Sequence, residues 1–234
     1  MVNREKRRRG DAGKLGKAAA DTSRFRFELL PPRLGLDFAN TLSNRLTGQP
    51  RELLSNYADL MAWSRQAGIL TAGEAERMAR QAARRPTEAL SAVEHAIVLR
   101  EALYRIFSAV ADGRSPQAAD LETLNVILSD AFALLRIVAT ADGFTWAWAG
   151  GEETPERVLW PIALSAAELL TSTEVKAVRE CAAPNCSWLF LDTTRNRSRR
   201  WCDMKVCGNR AKAHRHYERK KQARADDSDD SNRC

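Results

Sequence analysis

Four cysteines, Cys181, Cys186, Cys202 and Cys207, fall within 27 residues of a 234-residue chain whose first 180 residues contain none. Their spacing is C-x4-C, fifteen residues, then C-x4-C. Four soft thiolates delivered as two short-spaced pairs are what a tetrahedral Zn2+ site takes, each pair coming from one chain reversal. Pro184-Asn185 supplies turn residues inside the first pair, and Gly208 follows the last cysteine, where a tight turn is expected. Between the pairs, Trp188 to Leu191 reads as a short strand with a return.

The surroundings say what such a site would organise. After Cys207 the chain runs Gly-Asn-Arg-Ala-Lys-Ala-His-Arg-His-Tyr-Glu-Arg-Lys-Lys-Gln-Ala-Arg, which favours a helix from Asn209, with Asn209 as its N-cap. Its apolar residues are too few for a core helix. Its order is expected to come from the metal and from packing by Trp188, Phe190, Trp201, Met204 and Val206. Residues 195–224 carry a net +10 and residues 1–19 a net +5, against −5 for residues 20–194 and −3 for residues 225–234. A mildly acidic body with basic ends is the asymmetry of a polyanion binder. Arg195, Arg197, Arg199, Arg200, Arg210, Lys212, Arg215, Arg219 and Lys220 are the expected DNA contacts, some to bases and the rest to phosphates.

Other chemistries fit less well. Neither pair is C-x-x-C, and no βαβ pattern precedes them, which disfavours a redox dithiol. An iron–sulfur cluster would accept the same four ligands, although the dense arginines suit polyanion binding better. His214 and His216 read as helix surface, and Cys234 as a free thiol. A complete four-thiolate shell leaves no open metal position, so no enzyme is expected. A zinc-stabilised protein-interaction module and an RNA binder, with Trp188 and Trp201 stacking on bases, are the alternatives.

The rest of the chain must position this module. Residues 1–24 are expected to be a disordered basic extension, residues 25–172 a mainly α domain with one β-hairpin, residues 173–224 the four-cysteine zinc finger with its basic helix, and residues 225–234 a disordered acidic tail. Tyr57-Ala-Asp-Leu-Met-Ala-Trp predicts a helix ending near Gly68, and Thr71 with Glu74 has the spacing of a capping box for a helix over 72–84. A third helix over 87–112 would turn Leu90, Val93, Ile97, Tyr104 and Phe107 inward, and a fourth spans about 116–131 with Leu121, Leu124 and Leu128. Leu135 to Thr140 and Phe144 to Trp148, around Asp142-Gly143, predict a hairpin, and Trp160 to Leu170 a last helix. In Gly35-Leu-Asp-Phe-Ala-Asn-Thr41 a strand or turn leads into a helix; Asp37, Asn40 and Thr41 read either as caps or as contacts to a small-molecule effector. With no long apolar run and no apolar stretch behind the basic N-terminus, no membrane contact is expected and a cytoplasmic protein is.

Cys181-Ala-Ala-Pro-Asn-Cys186, Trp188-Leu-Phe-Leu-Asp192, Arg199-Arg-Trp-Cys202-Asp-Met and Cys207-Gly-Asn-Arg210-Ala-Lys resemble the CGNR zinc-finger family. The stretch Gly35–Thr41 and the order of elements resemble the ABATE domain that usually precedes such a finger, so the resemblance covers about residues 30–220. It implies a bacterial, nucleoid-associated transcription regulator with one structural zinc on the four cysteines. The N-terminal domain would then sense a ligand or stress signal, or assemble a homodimer. The basic extension lies outside that pattern.

Overall fold

The computed structural model describes residues 33–150 and 154–230, with backbone alone beyond residue 221. The expectations for the basic extension, Phe25 to Pro32 and Cys234 lie outside the described residues. Seven α-helices and three two-stranded antiparallel ladders make up the order α1 (Leu34–Ala39), β1 (Leu42–Ser43), β2 (Arg51–Glu52), α2 (Tyr57–Gln66), α3 (Ala72–Arg84), α4 (Pro86–Ala111), α5 (Ala118–Leu134), β3 (Leu135–Thr140), β4 (Gly143–Trp148), α6 (Leu159–Thr171), β5 (Val178–Glu180), β6 (Leu189–Leu191) and α7 (Asn209–Asp230) among the described residues.

Local signals account for most boundaries. Asn56 accepts the Asp59 N–H at the start of α2, and the chain leaves that helix through Gly68 at φ 76°. Thr71 and Glu74 form the expected reciprocal capping box on α3. Pro86 opens α4 at a first-turn position, where its missing N–H costs nothing. The 26-residue α4 is the central element, burying Val93, Ala96, Leu99, Leu103, Ile106 and Phe107 among α1, α2, α3, α5 and β5. Leu90 is 60% exposed, against expectation, because that turn of α4 turns Ala89 and Val93 inward instead. Leu121 is likewise at the surface edge of α5, while Leu124 is buried and Leu128 half-buried.

Around Gly35 the expected order is reversed. Gly35 to Ala39 is itself helix, and the strand β1 follows it. Glycine is needed there because a Cβ would lie 2.9 Å from the Ala166 Cβ on α6, so α1 and α6 cross almost backbone to backbone. The β3–β4 hairpin turns at Ala141-Asp142, one residue earlier than expected, with Thr140 opposite Gly143.

The β5–β6 hairpin is not a separate appendage. Val178 and Leu189 belong to the same buried cluster as Phe38, Leu99 and Phe107, and β6 lies against α1. The first strands of the cysteine module are therefore part of the main core.

Candidate metal centre and nucleic-acid interface

Each cysteine is delivered by a different piece of local structure. Cys181 directly follows β5, and its N–H donates to the Trp188 carbonyl at 2.8 Å, which prolongs the hairpin. Cys186 ends the Pro184 turn, its N–H donating to the Ala183 carbonyl, and Ser187 then takes a left-handed φ of 57° to swing the chain into β6. Cys202 lies at a bend and donates its N–H to the Cys181 Sγ at 3.5 Å. Cys207 rides on a π-helical turn, Met204–Gly208, capped by the Asp203 carboxylate, which accepts the Val206 N–H at 2.7 Å.

All four Sγ atoms lie within 4.8 Å of one another, all are buried and none is in a disulfide. The Cys186–Cys202 and Cys202–Cys207 sulfurs are 3.5 and 3.7 Å apart. A tetrahedron with Zn–S bonds of about 2.3 Å has edges of about 3.8 Å, so the set is already spaced for one zinc ion. Thiol charges support the same reading. Hydrogen bonds from the Cys186 and Cys202 thiols hold Cys181 well below the ordinary thiol value, and sharing that proton pushes Cys186 up. Cys202 is pushed up by its bonds to Cys181 and Cys186, and Cys207 chiefly by burial. Four thiolates at this separation repel one another, and a divalent cation between them removes that penalty.

The helix after Cys207 begins at Asn209, as expected, but Asn209 does not cap it. The π-helical turn runs straight into α7, Asn209 has helical φ and ψ, and Gly208 sits inside that turn instead of forming a reversal. Asp203 does the capping instead. The helix continues to Asp230, into the stretch read as an acidic tail. Met204 and Val206 are 52% and 46% exposed, so they do not pack the module as expected; Phe190 is buried in it, with Trp188 and Trp201 half-buried beside it.

Arg195, Arg197, Arg200, Arg210, Lys212, Arg215, Arg219 and Lys220 are exposed. Arg199 is placed otherwise: its guanidinium donates to the carbonyls of Trp201 and Cys202 and sits 4.8 Å from the Phe190 ring centroid, so it braces the cysteine loop from within. Asp192, which sequence reasoning passed over, is 2% exposed and shapes the arginine loop. It accepts the Thr194 N–H and hydroxyl and, 2.9 Å away, the Arg199 N–H. Burial pushes its carboxyl up, but the Thr194 and Arg199 bonds outweigh burial and hold it below the ordinary aspartate value. The signal was legible in Asp192-Thr-Thr, a side-chain-mediated turn pattern.

Asp37, Asn40 and Thr41 are all buried. The Asn40 amide accepts the Leu189 N–H at 2.9 Å and donates to the Leu189 carbonyl at 2.8 Å, imitating a strand partner for β6 across 149 residues of chain. The Thr41 hydroxyl donates to the Phe38 carbonyl. Asn40 therefore ties α1 to β6 and is not free to meet an effector, while Thr41 closes the end of its own helix. Nearby, buried Arg100 forms a two-pronged pair with Glu52 and a bond to Glu101; Glu101 also meets Arg45, whose guanidinium lies 4.0 Å over the Tyr104 ring. Tyr104 and Ser108 both donate to Glu180, the residue before Cys181, and burial together with the Glu180 charge pushes the Tyr104 phenol up to about 12. Arg100 could have been noticed as a lone cation on the apolar face of α4, three or four residues from Ala96 and Leu103.

Residues 32–173 match the ABATE family, described as "Putative stress-induced transcription regulator". The chain belongs to the ABATE family. Residues 177–220 match the CGNR zinc finger, which places all four clustered cysteines inside that match. No curated protein matches the chain. The ABATE chain thus carries one structural zinc site, on Cys181, Cys186, Cys202 and Cys207. Among the described residues no helix is long and apolar enough to cross a membrane.

Proposed function

We propose that this ABATE protein is a transcription regulator that binds duplex DNA through α7 and the Arg195–Arg200 loop. The observation that carries the reading is the state of α7: between Asn209 and Lys221 only Ala211 is half-buried, while Arg210, Lys212, Arg215, Arg219, Lys220 and Lys221 all face solvent. A helix with no core face takes its order from an anchored end and a partner. Zinc supplies the anchor, because ion binding at Cys207 fixes the turn from which α7 grows. The ion's chemistry here is structural, with four protein ligands and no open position.

Helical spacing narrows the contact face. Lys212, Arg215, His216 and Arg219 stand three or four residues apart on one side, whereas Arg210, His214, Glu218 and Lys221 form the opposite stripe, which contains an acid. The first stripe is the better match to a major groove, with the loop arginines on the flanking phosphates. Trp188 donates its indole N–H to Ser43 on β1 and Trp201 lies under Arg200, so both rings weighed for base stacking already have partners. That favours duplex DNA over unpaired RNA.

Titrating labelled duplex DNA into the zinc-loaded protein at rising salt tests the proposal. Five to eight phosphate contacts would give a log–log slope of about −4.5 to −7, at about −0.9 per contact. A flat salt profile, or equal loss from Arg210→Ala and Arg215→Ala, would count against the assigned face.

A further inference from the structure

The β3–β4 hairpin presents a surface that neither the zinc module nor the core uses. Its register places Leu135 opposite Trp148, Ile137 opposite Trp146 and Ala139 opposite Phe144, so all six side chains share one face. That face carries no charge. Among the described residues only its root is covered, where the Trp148 ring lies 5.3 Å from Trp160 on α6. Outward from there Ile137 is 63% exposed, Trp146 63% and Phe144 81%.

A two-stranded ladder is marginal in water without a further layer, and among the described residues both strands here are open edges. The neighbouring charge is Arg136 on the opposite face, whose guanidinium bonds the Leu135 carbonyl. With aromatic side chains contributing about 150–250 Å² each, Ile137, Phe144 and Trp146 leave on the order of 400 Å² of apolar surface in water. That lies in the range of the largest patches on monomers, roughly 300–600 Å². It would supply about half of the roughly 800 Å² per partner of a stable interface, as its apolar centre.

We infer that this face is the interface of a homodimer, formed by two copies of the hairpin related by a two-fold axis. The chemistry of the occupant follows from the face: uncharged and apolar, which excludes a nucleic acid and an acidic peptide. Self-complementarity follows from the ladder, since the protruding Phe144 ring stands beside the small Ala139 and a two-fold axis sets each ring over the other copy's Ala139 position. Such an interface is isologous. It leaves α7 of each copy available, so that, if the proposed DNA reading holds, the bound site would be a two-fold repeat.

Sedimentation of the full zinc-loaded chain at tens of micromolar, without DNA, tests the dimer separately from DNA binding. The wild type is expected at twice the chain mass. Trp146→Ser and, independently, Phe144→Lys are expected to weaken association by about 30-fold or more, as for truncating an interface anchor. Both should keep one zinc per chain and the helical circular dichroism of the wild type. Thr145→Lys, on the other face of the same hairpin, should leave the dimer intact. A monomeric wild type would overturn the inference and leave the face to another occupant, such as residues 1–32; so would Trp146→Ser and Phe144→Lys variants that stay dimeric, or dissociation by Thr145→Lys alone.

Discussion

Hairpins β3–β4 and β5–β6 are both short antiparallel ladders, and the longer of the two is the less buried. The β3–β4 hairpin has six residues in each strand and buries none of them fully. The β5–β6 hairpin has three in each and sits in the core at Val178, Leu189 and Phe190. Hydrophobic content does not separate them, because both are rich in large apolar side chains. What separates them is what each is tied to. Asn40, Ser108, Tyr104 and the cysteine cluster hold β5–β6 at its backbone and side chains, whereas among the described residues β3–β4 is held at its root alone. Apolar strand sequence therefore specifies a ladder; only a covering surface makes it core.

Variants can break or sharpen that contrast. The largest effect is expected from Cys202→Ser, which removes a zinc ligand. Zinc content, measured by metal analysis, should fall to near zero, and DNA affinity by about 1,000-fold towards the non-specific level. The helices of the body should persist, but with lower thermal stability, because β5 and β6 belong to their core. Unchanged DNA affinity would show that α7 does not depend on the metal.

The same deletion on the two hairpins gives the sharpest comparison. Phe190→Ala, at 1% exposure, should cost about 3–5 kcal/mol in a denaturant titration. Phe144→Ala, at 81% exposure, should cost the isolated protomer less than about 0.5 kcal/mol. Between these lies Asn40→Ala, which strands the Leu189 N–H and carbonyl and should cost about 2–4 kcal/mol at about 1–3 per group. A near-neutral result would mean water replaces the amide and that the β6 tie is weak.

Asp192→Asn should cost about 2 kcal/mol near neutral pH, since the amide offers one acceptor oxygen where the carboxylate offers two. The folded carboxyl lies below its unfolded value, so the charge-linked stability is present above about pH 4 and fades as pH falls through the lower folded value. Stability curves of wild type and variant should therefore converge in acid. Parallel curves down to that range would remove Asp192 as the organiser of the arginine loop.

Short-range patterns are legible in the amino-acid sequence itself. The capping box at Thr71 and Glu74, the stop at Gly68, the start of α7 and the four-cysteine set depend on residues close in the chain, or on a type of ligand rare enough to stand out. The polar residues of Gly35–Thr41 stand out too, but their role is not legible, because the partner of Asn40 is a backbone 149 residues away. Arg199 misleads for a similar reason: an arginine in a basic loop looks like its neighbours until the carbonyls of Trp201 and Cys202 are placed beside it.

The sequence by itself determined that this ABATE chain is mainly helical, that four cysteines make one zinc site and that a basic helix follows it, because each of these rests on composition, spacing or periodicity within a few turns of chain. Only the tertiary structure decided that the zinc module shares the core of the α domain, that Asp203 and not Asn209 caps the turn into α7, and that one apolar hairpin is buried while the other is left facing water. Those outcomes depend on which surfaces meet. A residue's exposure is settled by neighbours brought from elsewhere in the chain, and no local pattern carries that information.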